Sequence, residues 1–173
     1  GRDGCNRCLL SPFRSKTGRN QPSTNRFIFG LPAWLRGLIK PPKGHAVAYL
    51  DYRQQEFAIA AALSGDVNMI KAYQSGDPYL AFARMAGAVP SGATRETHPK
   101  ERKLYKLCAL AVQYEMGAAS LGASLGKSTV HARTLLHNYR KTFAGFARFK
   151  EDYALTVNVT GVASTRTGWK MQV

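Results

Sequence analysis

Acidic residues are scarce in this sequence: 10 Asp and Glu stand against 25 Lys and Arg, a formal net charge of +15 over 173 residues. A surface with that balance attracts polyanions and repels cations, so nucleic acid is the leading partner class and an acidic membrane surface the second. Long apolar runs are missing too. None approaches the roughly 20 residues that cross a bilayer, and no charged-then-apolar leader opens the chain, so the expected setting is the soluble interior of a cell. Cysteine is sparse: Cys5 and Cys8 make a C-x-x-C pair, Cys108 stands alone, and His45, His98, His131 and His137 are scattered. No second pair follows at zinc-ligand spacing, which leaves surface thiols in a reducing compartment as the expectation. Internal repeats and low-complexity linkers are also absent.

What is there suits a folded chain. With 45% hydrophobic residues, disorder is excluded. The length fits one ordinary domain or two small lobes sharing a core. The first residue is Gly1 rather than Met, and the chain is expected to be a piece of something longer.

Residues 1–26 are rich in Arg, Lys, Ser, Asn and Gly, with Pro12 and Pro22 breaking any long element, a composition suited to a loop wrapped over something anionic. Residues 27–40 turn apolar, and Phe27, Phe29, Trp34, Leu35, Leu38 and Ile39 are expected to pack under a strand at 46–50. Alternation in that strand puts Val47, Tyr49 and Asp51 on one face and Ala46, Ala48 and Leu50 on the other. A helix is expected over 54–63, closed by Ser64-Gly65-Asp66, with Asp66 free to cap the next helix. Asp77-Pro78 reads as cap and first residue of another. The glycines at 117, 122 and 126 break the helical pattern, Ser128 or Thr129 caps a long helix to about residue 138 or 143, residues 145–156 read as helix, and 156–173 as strands with Gly161 in a turn.

Two stretches carry chemistry. In Leu50-Asp51-Tyr52-Arg53-Gln54-Gln55-Glu56, an aspartate ends an apolar run and a second carboxylate follows five residues later. Asp51 is readable either as a helix N-cap or as a catalytic carboxylate. In residues 98–116, Arg102, Lys106, Leu110 and Tyr114 recur every fourth residue. At roughly 100° per residue each step drifts only about 40°, so the four form one stripe, with Leu104, Leu107, Cys108 and Ala111 opposite it. Two cations, an apolar side chain and a phenol suit a phosphate chain, a sugar and a base, although basic helix positions are also commonly solvated.

These blocks together resemble the family A DNA polymerases, the bacterial DNA polymerase I type and in particular its viral branch. Thr17-Gly18-Arg19 is similar to the T-G-R element before the palm strand. Asp51-Tyr52-Arg53-Gln54-Gln55-Glu56 is similar to D-Y-S-Q-I-E, and Arg102-x3-Lys106-x3-Leu110-x3-Tyr114 to R-x3-K-x3-F-x3-Y-G. The likeness runs from about residue 12 to residue 169.

The resemblance implies an α+β fold, a partial right-hand polymerase with part of an antiparallel palm sheet and a mostly helical fingers subdomain. Residues 1–65 and 146–173 would belong to the palm and 66–145 to the fingers. It implies template-directed DNA synthesis with Mg2+, with primer-template DNA and dNTPs as partners along with the rest of the polymerase chain, in the cytoplasm of a bacterial host. Asp51 and the backbone carbonyl of Tyr52 would be metal ligands. Arg102 and Lys106 would hold the triphosphate, with Leu110 beside the sugar. Tyr114 would stack near the templating pair, and Glu56, bonded to Tyr114, would exclude a 2′-hydroxyl. Arg19, with Thr17 and Lys16, would meet the primer end.

Three positions depart from the family pattern: Leu110 stands where many members have Phe or Tyr, Glu115 replaces a glycine, and Tyr79 lies near the place of a phosphate-binding histidine. The family's second catalytic aspartate has no counterpart, since no acidic residue follows Asp152. A central fragment without activity of its own is therefore expected. The rival readings are a basic nucleic-acid-binding module without catalysis and a structural helical domain.

Overall fold

The computed structural model describes residues 3, 7–15, 18–22, 27, 30 and 32–173. Lys16, Thr17, Cys5 and Phe29 lie outside the described residues. The chain divides into two compact units, one formed by residues 1–51 and 163–172, the other by residues 52–162 with Val173. No helix among the described residues is long and apolar enough to cross a membrane. Seven helices and two small two-stranded sheets make the described architecture α+β, as expected.

The smaller unit holds β1 (Leu10–Ser11) paired antiparallel with β2 (Gln21–Pro22), a short 3-10 helix (Ala33–Leu38), and, but for its first residue, a hairpin of β3 (Val162–Ser164) and β4 (Lys170–Gln172). Gly168, at φ 88°, makes the hairpin turn. The Phe13 and Trp169 rings stack with centroids 5.3 Å apart, which joins the two stretches of chain that build this unit.

The strand expected at 46–50 does not form. These residues have no regular structure and lie exposed, Leu50 to 91%. An alternating pattern stabilises a strand only when a neighbouring strand takes up its N–H and C=O groups, and no described strand pairs with it. Trp34 and Leu38, expected beneath it, are exposed as well, at 79% and 74%.

The larger unit is helical: α1 (Gln55–Ser64), α2 (Val67–Gln74), α3 (Pro78–Met85), α4 (Pro99–Gln113), α5 (Ala118–Leu125), α6 (Thr129–Thr142) and α7 (Ala144–Thr160). Its core is aromatic. Phe82 sits at the centre, with ring centroids 4.6 Å from Tyr105, 5.1 Å from Tyr139 and 5.3 Å from Phe143. Phe57 reaches the same cluster from α1. Cys108 is fully buried against it, as its place opposite the helix stripe predicts and against the general surface-thiol expectation for the cysteines, and burial pushes its thiol up to about 12.

Two further expectations are corrected. The glycine-rich stretch at 117–126 is not a break but contains α5. A Cβ on Gly122 would lie 2.9 Å from Lys127 O, so this glycine lets the next loop pack against the helix. Residues 156–160, read as strand from their Thr and Val, continue α7. Thr156 and Thr160 send their hydroxyls back to the carbonyls of Asp152 and Thr156, at 2.9 and 2.8 Å, a bond β-branched hydroxyl residues make within helices.

The caps read from the sequence are in place at Asp66, Asp77 and Ser128. Asp66 does more than cap α2. Its Oδ1 accepts from Met69 N–H at 2.9 Å, while Oδ2 accepts from Phe146 N–H, in the first turn of α7, at 3.0 Å. The N-cap of that helix, Phe143, supplies no capping side chain of its own. Gly145 is required there, because a Cβ would come 2.9 Å from Asp66 Oδ2. From the same end of α2, Asn68 donates to Thr142 O, the end of α6, at 2.9 Å.

Asp66→Ala is expected to lower stability by about 2 kcal/mol, since it leaves two buried N–H groups without an acceptor. Urea unfolding measures this, and a loss below about 0.5 kcal/mol, the range of ordinary surface changes, would contradict it.

Candidate functional site

Three helix ends of the larger unit meet where the sequence placed its second chemical stretch. Glu56 lies in the first turn of α1, Asp77 and Tyr79 begin α3, and Arg102 to Tyr114 run along α4. Each is positioned by local chemistry: Asp77 caps α3 through Leu80 N–H, at 3.3 Å, and Pro78 sets the first helical residue.

The expected stripe on α4 exists. Arg102 and Leu110 are half-buried, Lys106 and Tyr114 exposed. Opposite it, Tyr105, Cys108, Ala109 and Ala111 are buried. Tyr105 was not anticipated as a core residue. The helix ends at Gln113, so Tyr114 is its C-cap rather than an interior residue.

Tyr114 O–H donates to Glu56 Oε1 at 2.6 Å, across 58 residues of sequence. The structure thus brings together the carboxylate and the phenol that the resemblance paired. Arg102 is already engaged: its Nε donates to Asp77 Oδ2 at 2.5 Å, and its guanidinium lies 5.7 Å above the Tyr79 ring. Arg95 adds a second cation 3.6 Å from the same Asp77 oxygen. Arg53 Nη2 comes 3.4 Å from where a Cβ on Gly76 would stand, beside Asp77. Lys106, by contrast, has no ion pair or hydrogen bond among the described residues.

Electrostatics follow from this crowding. Burial pushes the Asp77 carboxyl up, but bonds from Arg102 and Leu80 N–H, together with the Arg102 and Arg95 charges, outweigh it and hold the group below the usual aspartate range. Burial pushes the Tyr79 phenol up. The Arg102 charge opposes this and the Asp77 and Glu56 charges add to it, so Glu56 and Tyr79 feel one another across the site. The Tyr79 ring also meets the Phe57 ring edge-on at 6.4 Å, which anchors the site floor in the core.

The other sequence candidates are not part of this cluster. Asp51 is exposed, outside any regular element, and ends the smaller unit, whereas Tyr52 opens the larger one. Arg19, in the smaller unit, is exposed, with its N–H donated to Ser15 Oγ at 2.7 Å. Among the described residues, no group of three or more His, Cys, Asp or Glu could by itself hold a metal ion. The residues that sequence reasoning missed are Arg95, Arg53 and the ion-pairing side of Asp77. Spacing carries no signal for them, because Asp77 and Arg102 are 25 residues apart and meet only once α3 and α4 pack.

A family model described as DNA polymerase family A matches residues 29–173. A DNA polymerase of Mycobacterium phage D29 is 29% identical over 183 residues, covering 99% of this chain and 28% of its own length. A DNA polymerase I of Chloroflexus aurantiacus is 33% identical over 116 residues, 66% of this chain and 12% of that protein. Among solved structures, the POL domain of Pol1 from M. smegmatis, in complex with DNA primer-template and dNTP, matches with a TM-score of 0.77 at 24% identity, over 99% of this chain and 31% of that one. The last likeness is one of fold. The chain spans only 28% of the phage relative's length.

The Asp77 ion pair makes a pH prediction. With a folded pKa below the unfolded one, its contribution to stability is complete above the ordinary aspartate value of about 4 and is lost as pH falls through the lowered folded value. Asp77→Asn is expected to flatten the fall of stability with acid in that window. An unchanged slope, measured by urea unfolding across the acid range, would contradict the pairing.

Proposed function

This chain belongs to DNA polymerase family A, and from that premise we propose that it forms the nucleotide-binding part of an enzyme that adds deoxynucleotides to the 3′ end of a primer on a DNA template. The reading rests above all on one observation, the 2.6 Å bond from Tyr114 to Glu56 at the end of a helix whose same stripe carries Arg102 and Lys106.

In this reading Lys106 takes the first phosphate contact, since it has no competing partner among the described residues. Arg102 joins it by exchanging the Asp77 carboxylate for phosphate oxygens, a swap between two acceptors suited to the same planar fork. Leu110 packs against the sugar and Tyr114 presents its ring to the base pair. Glu56, held by Tyr114, occupies the space a 2′-hydroxyl needs. Arg19, with Lys16 and Thr17, approaches the primer end, and the +15 charge draws DNA to the surface. We assign residues 1–65 and 146–173 to a palm and 66–145 to fingers, and place the enzyme in the cytoplasm of a bacterial cell.

Magnesium fits this donor set in part. Asp51 is an exposed carboxylate with no cation partner among the described residues, and the Tyr52 carbonyl can add a second oxygen, the hard ligands this ion prefers. When bound, the ion would neutralise charge on the transferring phosphoryl group. A two-ion site needs further carboxylate, and none follows Asp152 in these 173 residues.

The chain is therefore expected to bind dNTPs without incorporating them. Lys106→Ala should weaken dNTP binding, measured by equilibrium dialysis with magnesium, at least about tenfold, or about 1.4 kcal/mol. Binding of DNA that depends on salt but is indifferent to magnesium and nucleotide would instead favour a non-catalytic basic module. Incorporation of labelled nucleotide by this chain, abolished by Asp51→Ala, would overturn the expectation that it lacks activity alone.

A further inference from the structure

The end of α4 contains an unusual residue. Glu115 follows Tyr114 with a φ of 55°, in the left-handed region that favours glycine after a helix because a Cβ there crowds the backbone. The hydrogen bonds of the stop are regular: Tyr114 N–H donates to Leu110 O at 3.0 Å and Met116 N–H to Ala111 O at 2.8 Å. Support for Glu115 comes from α7. Lys150 Nζ lies 3.1 Å from Glu115 Oε1 and donates to Val112 O at 2.9 Å. One ammonium thus takes the carboxylate of the left-handed residue and a carbonyl of the last turn, at the helix end where a cation is favoured.

Glu115 is 75% exposed, so the ion pair alone contributes little. The carbonyl bond is the part that fixes geometry, because Lys150 is mostly buried and joins two helices 38 residues apart in sequence. Tyr114 stands between the two points that Lys150 holds, Val112 and Glu115, and its hydroxyl reaches Glu56. Any loosening of this turn moves the phenol relative to the carboxylate.

We propose that Lys150 is a positioning residue for Tyr114: by clamping the last turn of α4 and the left-handed Glu115, it sets how tightly Tyr114 and Glu56 close, and with that how strongly a ribose 2′-hydroxyl is refused. The sugar clause rests on the nucleotide reading above; the clamp itself does not. Glycine at 115 relieves the left-handed strain and so offsets part of the loss of the lysine, whose bond to the Val112 carbonyl it does not replace.

The test uses the full chain in two measurements. Amide hydrogen exchange at residues 114–116, without nucleotide, is expected to speed up in Lys150→Met, to stay near wild type in Lys150→Arg, and to slow again in the double variant Glu115→Gly/Lys150→Met. The ratio of dATP to ATP affinity, with magnesium, is expected to fall several-fold in Lys150→Met, to stay near wild type in Lys150→Arg and to recover in part in the double variant. General destabilisation would speed exchange throughout α4 and leave that ratio unmoved, which would overturn the positioning role. Wild-type exchange rates in Lys150→Met would overturn the clamp whether or not nucleotide binds. A wild-type chain that prefers neither nucleotide, with fast exchange in Lys150→Met, would overturn the sugar clause and the nucleotide reading while supporting the clamp.

Discussion

The Asp66 carboxylate joins the first turns of two helices that are far apart in sequence. Its two oxygens accept from Met69 N–H in α2 and Phe146 N–H in α7, across 80 residues. Both helix N-termini present unpaired N–H groups and a partial positive charge, so one buried anion satisfies two ends at once. With Asn68 holding the last carbonyl of α6, the α6–α7 junction is pinned to the start of α2 from both sides. The direction of α7 follows from that joint. So does the reach of Lys150, which lies on α7 and meets the far end of α4. The geometry around Tyr114 is thus set by a carboxylate that never touches it.

A basic chain must also keep its cations apart and aimed. At Asp77 two arginines gather, with Arg102 bonded to it and Arg95 3.6 Å away, while Arg53 comes close to the neighbouring Gly76. One carboxylate lets Arg102 and Arg95 share a small volume, and the Tyr79 ring supports Arg102 from its face. The arrangement holds arginine charge in a neutralised form, while Lys106, at the next turn of α4, has no ion pair among the described residues.

Legibility in the sequence tracked the range of the interaction. Caps at Asp66, Asp77 and Ser128 were readable because the side chain and the N–H it binds are three residues apart. The α4 stripe was readable from its period. The Glu56–Tyr114 bond came from the likeness of whole blocks to a family, as no local rule links positions 58 residues apart. Residues 46–50 misled because alternation describes a strand only when a partner strand exists. Gly122 misled in the opposite sense, since its missing Cβ serves close packing rather than a break. In α7, Thr156 and Thr160 back-bond to the helix and override their strand preference. The second role of Asp66 was hidden altogether, because Gly145 signals close approach without naming its partner.

The central claim is that the faces of α1, α3 and α4 form one site for a deoxynucleoside triphosphate. A backbone amide NMR titration of the chain with dATP and magnesium tests it most directly. The account predicts that shifts concentrate at residues 54–58, 76–80 and 99–116, with the largest phosphate-dependent changes near Lys106 and Arg102. Shifts confined to α6 and the outer face of α7, or spread evenly over surface lysines and arginines, would contradict it.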